Sequence, residues 1–438
     1  MKTIIIIGGG ISGLTAAYLL SQKGFRVIII EKKKHLGGRA YSFKDKITHL
    51  YFDNGQHILM GCYKYTLKLL EEIGSHKYLK IQNNLCLKYF DINGHNFTLN
   101  TRNLPAPFNI LFALAEIPSV TKKDILHILK FGINIYKSKI FNSYPDISTK
   151  ELLIKNNQRK VLQEILWDPI ILSALNTKPD IASSKIFINT IFEIFFKSKN
   201  YSRIILPERN LNEIFSEPLK ENIESYGGNI ILGKEVVKFN LDKNEIKSII
   251  LKDGSIITGD IFISSIPYFD IIKFHELNKI VPIKNFERMR SSPIICINIF
   301  LNKNIITDEI IICLKSKSQV IFNKSKFYNL NDNSQIISIV ISASSELVDM
   351  QLSDLLSIIK QELVLIIPGF DLKYIKSIKV IKERKATLLI DNETEQLRPQ
   401  INTEYKNFFL IGDWISTGLP ATIESAVRSA YLVNNLIS

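Results

Sequence analysis

A chain of 438 residues has room for two or three domains and a large buried core. Its 46% hydrophobic and 22% charged residues are ordinary for a globular protein and exclude a disordered or fibrous one. The net charge of +14 is mostly lysine, which speaks against base reading by arginine forks and leaves attraction to anionic lipid or plain compositional drift.

The N-terminal apolar run, Ile4 to Ile7, is too short for a signal peptide, and glycines follow it. Residues 3–7 are β-branched throughout, as suits a strand buried on both faces of a parallel sheet. Ile11 to Lys23 read as a helix carrying Leu14, Ala17, Tyr18 and Leu20 at helical period, stopped by Gly24. Arg26 to Ile30 form a second strand ending on Glu31, which completes a βαβ unit. Between its first strand and helix lies Gly8-Gly9-Gly10-Ile11-Ser12-Gly13, a GxGxxG turn. Gly8 permits the turn, Gly10 lets backbone approach a pyrophosphate, and Gly13 lets helix pack on strand. The helix start, with Ser12, then offers free N–H groups to phosphate. Glu31 lies 31 − 13 = 18 residues past the last glycine, where a carboxylate accepts from ribose hydroxyls and repels a 2′-phosphate. Glu31 and the adjoining Lys32 are therefore candidate cofactor contacts, and NADP is disfavoured. Leu36-Gly37-Gly38-Arg39 follows, with Gly38 and the Arg39 fork available to a phosphate group.

Further along, Phe108 to Ala115 is apolar but too short to span a bilayer, and Asp124 to Lys139 is apolar and basic by turns, as interfacial helices are. Peripheral membrane contact through residues 105–140 is expected. Ser184 to Ser198 reads as a helix with one polar stripe (Lys185, Asn189, Glu193, Lys197); a helix so apolar faces a core, a lipid-like ligand or a bilayer, and its phenylalanines suit a core first and a cationic ligand second. A β-rich unit spans Gly228 to Ser265, with Val236 near its start and a hairpin turn at 252–254. The chain closes with strand 408–411, a turn at Gly412-Asp413, and a helix from Pro420 to Leu436 that begins with Thr422 and Ile423. Cys62, Cys86, Cys296 and Cys313 form no CxxC pair and have no histidine at ligand spacing, so reduced thiols and no metal site are expected.

Leu36 to Arg39, Lys234 to Val237 and Ile411 to Ala426 together resemble the amine oxidase and phytoene desaturase superfamily. That resemblance implies an α/β fold: a Rossmann-type FAD-binding domain with an inserted α+β substrate domain. We expect the FAD half at 1–75, 205–270 and 390–438. The substrate half is expected at 76–204 and 271–389, largely helical in 105–200. By resemblance Arg39 lies against the dinucleotide, the Val236 backbone meets the adenine, and Gly412 and Asp413 meet the ribityl chain. Thr422 and Ile423 lie at the flavin pyrimidine edge, whose helix dipole stabilises reduced flavin. No Cys or His stands between Gly412 and Glu424, so the FAD is expected to be non-covalent.

Four segments narrow the resemblance: Phe52 to Gly61, Trp167 to Thr177, Leu206 to Pro218, and Gly412 to Ser429. They are similar to the hydroxysqualene dehydroxylases of hopanoid and squalene biosynthesis; position 62 departs mildly, Cys standing where a small residue is usual. The resemblance implies a reductive dehydroxylation of hydroxysqualene to squalene, with hydride from reduced flavin and a dry pocket that protects an allylic cation. Gly55 and Gln56 become flavin contacts and His57 the candidate acid, with Asp168 a weaker one. A carotenoid-type desaturase remains the alternative, an amine oxidase stands third, and a non-catalytic prenyl-lipid escort would predict a broken flavin site. The residues name no electron donor. A cytoplasmic location, peripheral on the inner face of the membrane, is expected, with no nucleic acid partner.

Overall fold

The computed structural model describes residues 1–46, 49–279, 283–325 and 333–437. The elements that position the site are, in chain order, β1 (Thr3–Ile7), α1 (Ile11–Gln22), β2 (Arg26–Glu31), α2 (Phe108–Ala115), α3 (Lys122–Ile140), α4 (Ser184–Phe195), β3 (Asn229–Leu232), β4 (Ile261–Ser264), β5 (Ser291–Leu301), β6 (Gln335–Ile341), β7 (Ile375–Leu388), β8 (Phe408–Leu410) and α5 (Ile423–Leu436).

Five strands from distant parts of the chain form one parallel sheet in the order β3-β2-β1-β4-β8. Ile4 to Ile7 are buried at its centre, because a parallel strand covered on both faces needs apolar side chains in both directions. Helices α1 and α5 pack together on one face, around Leu14, Ala17, Val427 and Ala430.

A second sheet has seven strands, in the order β7, β5, β6, 320–323, 310–314, 86–91, 96–100. It is antiparallel except where 310–314 runs parallel to 86–91. Side-chain alternation gives it two different faces. Ile295, Ile297 and Ile299 of β5 join Leu355 and Ile359 of helix Leu352–Ile366 in a core. Ile294 and Cys296, on the opposite face, line a cavity between the two sheets. The expected hairpin at 252–254 joins two strands of a separate three-stranded sheet, 236–242, 245–251 and 256–258.

The region 105–200 is largely helical. Between 160 and 175 two π-helical turns, Gln163–Trp167 and Ile171–Leu175, flank Asp168-Pro169-Ile170. Proline has no N–H to give the preceding turn, and widened turns accommodate that loss. Asn176, left-handed at φ 47°, ends the run and ties it to the second sheet. Its amide donates to Thr387 Oγ1 (2.9 Å) and its Oδ1 accepts from the Ala343 N–H (2.6 Å).

No phenylalanine of α4 lines either cavity. Phe187 is fully buried against Trp167, which in turn meets Phe131 edge-on. The apolar face of α4 thus fills the core, and its Thr190, Glu193, Ile194 and Lys197 border a small cavity instead.

Candidate flavin and substrate site

The glycine turn after β1 is shaped as its sequence requires. A Cβ on Gly13 would stand 2.2 Å from the Gly8 carbonyl oxygen, so α1 could not pack against β1 with any side chain there. Gly38, at φ +64°, comes so near the turn that a Cβ would lie 3.0 Å from Gly10 Cα. Two backbone segments therefore form a cradle with no side chains in it. The N-cap of α1 is Gly10, which has no side chain to cap the first N–H groups. They remain available to an anion.

At the next station, Glu31 receives the Gly9 N–H at Oε2 (2.6 Å) and the Lys33 N–H at Oε1 (2.7 Å). Each oxygen keeps lone-pair capacity toward the cavity. Lys32 pairs with Asp270 (2.9 Å). Burial pushes the Asp270 carboxyl up, but bonds from Lys273 and Lys32 outweigh it and leave it below the usual range.

The far end is built by the C-terminal loop. Thr422 caps α5 through its hydroxyl, which accepts from the Ser425 N–H. Arg39 bridges two elements: it donates to the Ala386 carbonyl of β7 (2.7 Å) and pairs with Asp413. The resemblance leads one to expect Arg39 against a dinucleotide; in the structure it latches the second sheet to the C-terminal loop. Arg398, whose side chain is fully buried, was not legible in advance. It pairs with Glu395 (3.0 Å) and donates to the carbonyls of Leu419 (2.8 Å), Asp413 (3.1 Å) and Ile415, which fixes the loop's path.

Gly8, Gly10, Ser12, Glu31, Lys32, Gly38, Arg39, Gly55, Gln56, His57, Val236, Gly412, Asp413, Thr422 and Ile423 all line one cavity of about 870 Å³. Gly13 lies behind its wall, where its role is packing. The cavity fits a flavin dinucleotide on three grounds: the glycine cradle, an uncapped helix start, and an unpaired buried acceptor, Gln56 Oε1, in the wall. A ligand donor can satisfy that oxygen.

Beyond the glycine cradle the floor is the second sheet, with Ile294, Cys296, Val340 and Ile381 presenting apolar side chains. Glu383 interrupts them. It is half-buried, pairs across the strands with Ile294, and lies two residues from Ile381 on the same face of β7. Its neighbours Lys382 and Arg384 reach the Met350 carbonyl and Asp349, while Arg384 and Lys385 also border the cavity. Within the charged run Lys382-Glu383-Arg384-Lys385 the sequence has no signal for this; only strand alternation against β5 assigns the faces.

His57 does lie in the cavity wall, but its environment corrects its expected role. Its Nδ1 is 2.9 Å from the Gly55 carbonyl, so it carries the hydrogen there. Burial holds the imidazole below its usual range, despite the pull of nearby Asp53. A neutral ring is a poor resting proton donor. Asp53 itself is buried in a pair with Lys324 (2.8 Å) and accepts from the Ser42 hydroxyl. Asp168 is also corrected: burial pushes it up to about 6, but it does not line the cavity and borders Lys150 and Asp180. Cys62 lines the smaller cavity, and burial pushes its thiol up to about 12, so it is unreactive.

Among the described residues no group of His, Cys, Asp and Glu could hold a metal ion, and no helix is long and apolar enough to cross a membrane. Replacing Glu31 with Ala should weaken flavin dinucleotide binding by about 1–3 kcal/mol, the scale of a charged hydrogen bond. Titration of the apoprotein followed by flavin fluorescence measures it, and an unchanged affinity would remove Glu31 from the site.

Comparison with known proteins agrees with this geometry. The model of the flavin containing amine oxidoreductases matches residues 11–437. The hydroxysqualene dehydroxylase of Zymomonas mobilis is 27% identical, across 100% of this chain and 99% of its own length. That of Sinorhizobium fredii is 25% identical over 98% and 96%. A 15-cis-phytoene desaturase from an Oncidium hybrid cultivar is 25% identical over 98% of this chain and 76% of its own. Among solved structures, an oxidoreductase from Methanosarcina mazei (TM-score 0.76, 17% identity, 99% and 100% covered) and a putrescine oxidase (TM-score 0.71, 12% identity, 100% and 98% covered) share the fold. The chain belongs to the flavin containing amine oxidoreductase family and is a flavin-dependent oxidoreductase.

Proposed function

We propose that this enzyme removes the hydroxyl of hydroxysqualene to give squalene, using FAD bound without a covalent tether. The observation that carries the reading is a sheet floor with an apolar stretch (Ile294, Cys296, Val340, Ile381) beside Glu383, joined to a flavin cradle, in a chain similar along its whole length to hydroxysqualene dehydroxylases. The FAD half takes in 1–75, 205–270 and 390–438, and the substrate half 76–204 and 271–389. Strands 86–91 and 96–100 joining the second sheet support that division.

Glu31 accepts from the adenosine ribose, with Lys32 and Val236 beside it. Gly8, Gly10, Ser12, Gly38 and the α1 start take the pyrophosphate. Arg39, Gly412 and Asp413 hold the ribityl end, and Gly55, Gln56, Thr422 and Ile423 the isoalloxazine. Bound in its reduced form, the flavin supplies a hydride to an allylic carbon. Glu383, as the carboxylic acid, gives its proton to the substrate hydroxyl; the C–O bond breaks and water leaves. Ile294, Val340 and Ile381 exclude water, which would otherwise capture the cation. Neutral His57 orients the hydroxyl by accepting its hydrogen bond.

A single turnover tests direction. Enzyme reduced anaerobically in D₂O and mixed with hydroxysqualene should yield squalene with one deuterium, at the former carbinol carbon or its allylic partner. If the oxidised enzyme instead introduces double bonds into squalene or phytoene while the reduced enzyme leaves the alcohol untouched, the desaturase reading replaces this one. The free thiols fit a reducing cytoplasm, with the enzyme peripheral on the inner face of the membrane.

A further inference from the structure

Helices α2 and α3 carry an apolar surface that nothing in the described chain covers. On α2, Phe108 and Phe112 are each about half exposed, one turn apart. On α3, Leu126, Leu129, Ile133, Tyr136 and Ile140 are exposed in the same way. At the turn of an α-helix these five fall within an arc of roughly 80°. The opposite face of α3, Asp124, Ile128, Phe131 and Ile135, is the buried one. The helix therefore has an apolar stripe toward solvent in addition to the stripe that packs, which a helix of a soluble surface does not need.

Charge is arranged around that stripe. Lys123, Lys130 and Lys137 are exposed and lie along one flank of it, and Lys122 stands at its N-terminal end. The acidic member of α3, Asp124, points inward and pairs with Arg159, so it does not offset them. Lys139, on the other side, is engaged with Asn189 of α4 (2.9 Å) and leaves the surface row.

We propose that the α2–α3 face docks on a lipid bilayer rich in anionic headgroups, with the apolar stripe inserted at the acyl boundary and the lysine row on the phosphates. Apolar insertion and headgroup attraction add in such helices, and the arrangement of one stripe flanked by one basic row matches both at once. The inference is independent of the substrate reading. It has a consequence for it: α3 packs on α4 through Tyr136 and Phe192, and α4 borders the smaller cavity, which shares Met60, Tyr63, Ala174 and Thr422 with the larger. Docking would place the site one helix layer from the lipid.

The test is co-sedimentation of the flavin-loaded full chain with vesicles of phosphatidylcholine alone or mixed with phosphatidylglycerol. The wild type should bind the mixed vesicles more tightly, and less so in high salt. The double variant Leu129→Asp, Ile133→Asp should bind both kinds about tenfold or more weakly. The double variant Lys130→Gln, Lys137→Gln should lose only the preference for anionic vesicles. Unchanged flavin content and thermal midpoint keep misfolding out of the comparison. Failure of the wild type to bind any vesicle at low salt, or binding indifferent to both double variants, overturns the proposal. So does a dimer in light scattering that the Asp variant dissociates, which would assign the face to a second copy of the chain.

Discussion

An E383Q enzyme is expected to bind flavin normally and to lose about 10²–10⁴-fold in the single-turnover rate of dehydroxylation, the usual contribution of a placed general acid. The amide keeps the size and the hydrogen-bonding reach of the side chain but has no acidic proton. Glu383 is the carboxyl that the substrate sheet presents among Ile294, Cys296, Val340 and Ile381. The other carboxylates in the wall are engaged by cations or by two amides: Glu31 with the Gly9 and Lys33 amides, Glu235 with Lys252, Asp270 with lysines, Asp413 with Arg39; Glu383 accepts from the Lys385 backbone N–H (3.3 Å). Substrate affinity should change little, because the chain is held by apolar contacts. H57Q should cost far less in rate, since a neutral imidazole that accepts a hydrogen bond is replaced by an amide that can do the same. Rapid-quench product analysis on the two variants decides between them. A full rate in E383Q with a collapse in H57Q would return the proton to His57.

The second large effect is expected at Arg398. R398M should lower stability by about 3–5 kcal/mol, the range for breaking a buried pair on one side. The methionine fills part of the space, but Glu395 loses the guanidinium and the carbonyls of Asp413, Ile415 and Leu419 lose their donor. The loop they belong to carries Gly412 and Asp413 and leads into the start of α5, so flavin occupancy should fall with the thermal midpoint. R398K should recover part of the midpoint and less of the occupancy, because one ammonium group cannot reach several carbonyls in fixed directions. A midpoint and flavin content equal to wild type in R398M would show that the loop holds its path without the guanidinium.

Much of the flavin half could be read from the chain alone, and the reason is range. Gly8 to Gly13, Glu31 and the start of α5 owe their form to backbone requirements that act within a few residues: a turn without Cβ atoms, a carboxylate at a strand end, a hydroxyl at a helix cap. Such requirements are written in neighbouring residues, so the sequence shows them. The match of Gly38 to Gly10 already needed two segments to meet, and the motif pattern carried that only as a likeness.

The rest of the chain was decided by tertiary contacts. Helical period identified α4 as apolar, yet period cannot tell a face that meets a ligand from one that meets Trp167, and here it meets Trp167. Glu383 shares the face of Ile294 and Cys296 because β7 pairs with β5 in one register; a shift by one residue would put Lys382 or Arg384 opposite Ile294. The state of His57 follows from burial and a backbone carbonyl, neither visible in a run of letters. Apart from Glu395 three residues before it, Arg398 gives no local sign, since its carbonyl acceptors belong to a loop 15 or more residues on. The sequence by itself determined the nucleotide fold, because its rules are local. Which side chains face the cavity between the sheets, and which hold the C-terminal loop, depended on strand register and long-range packing.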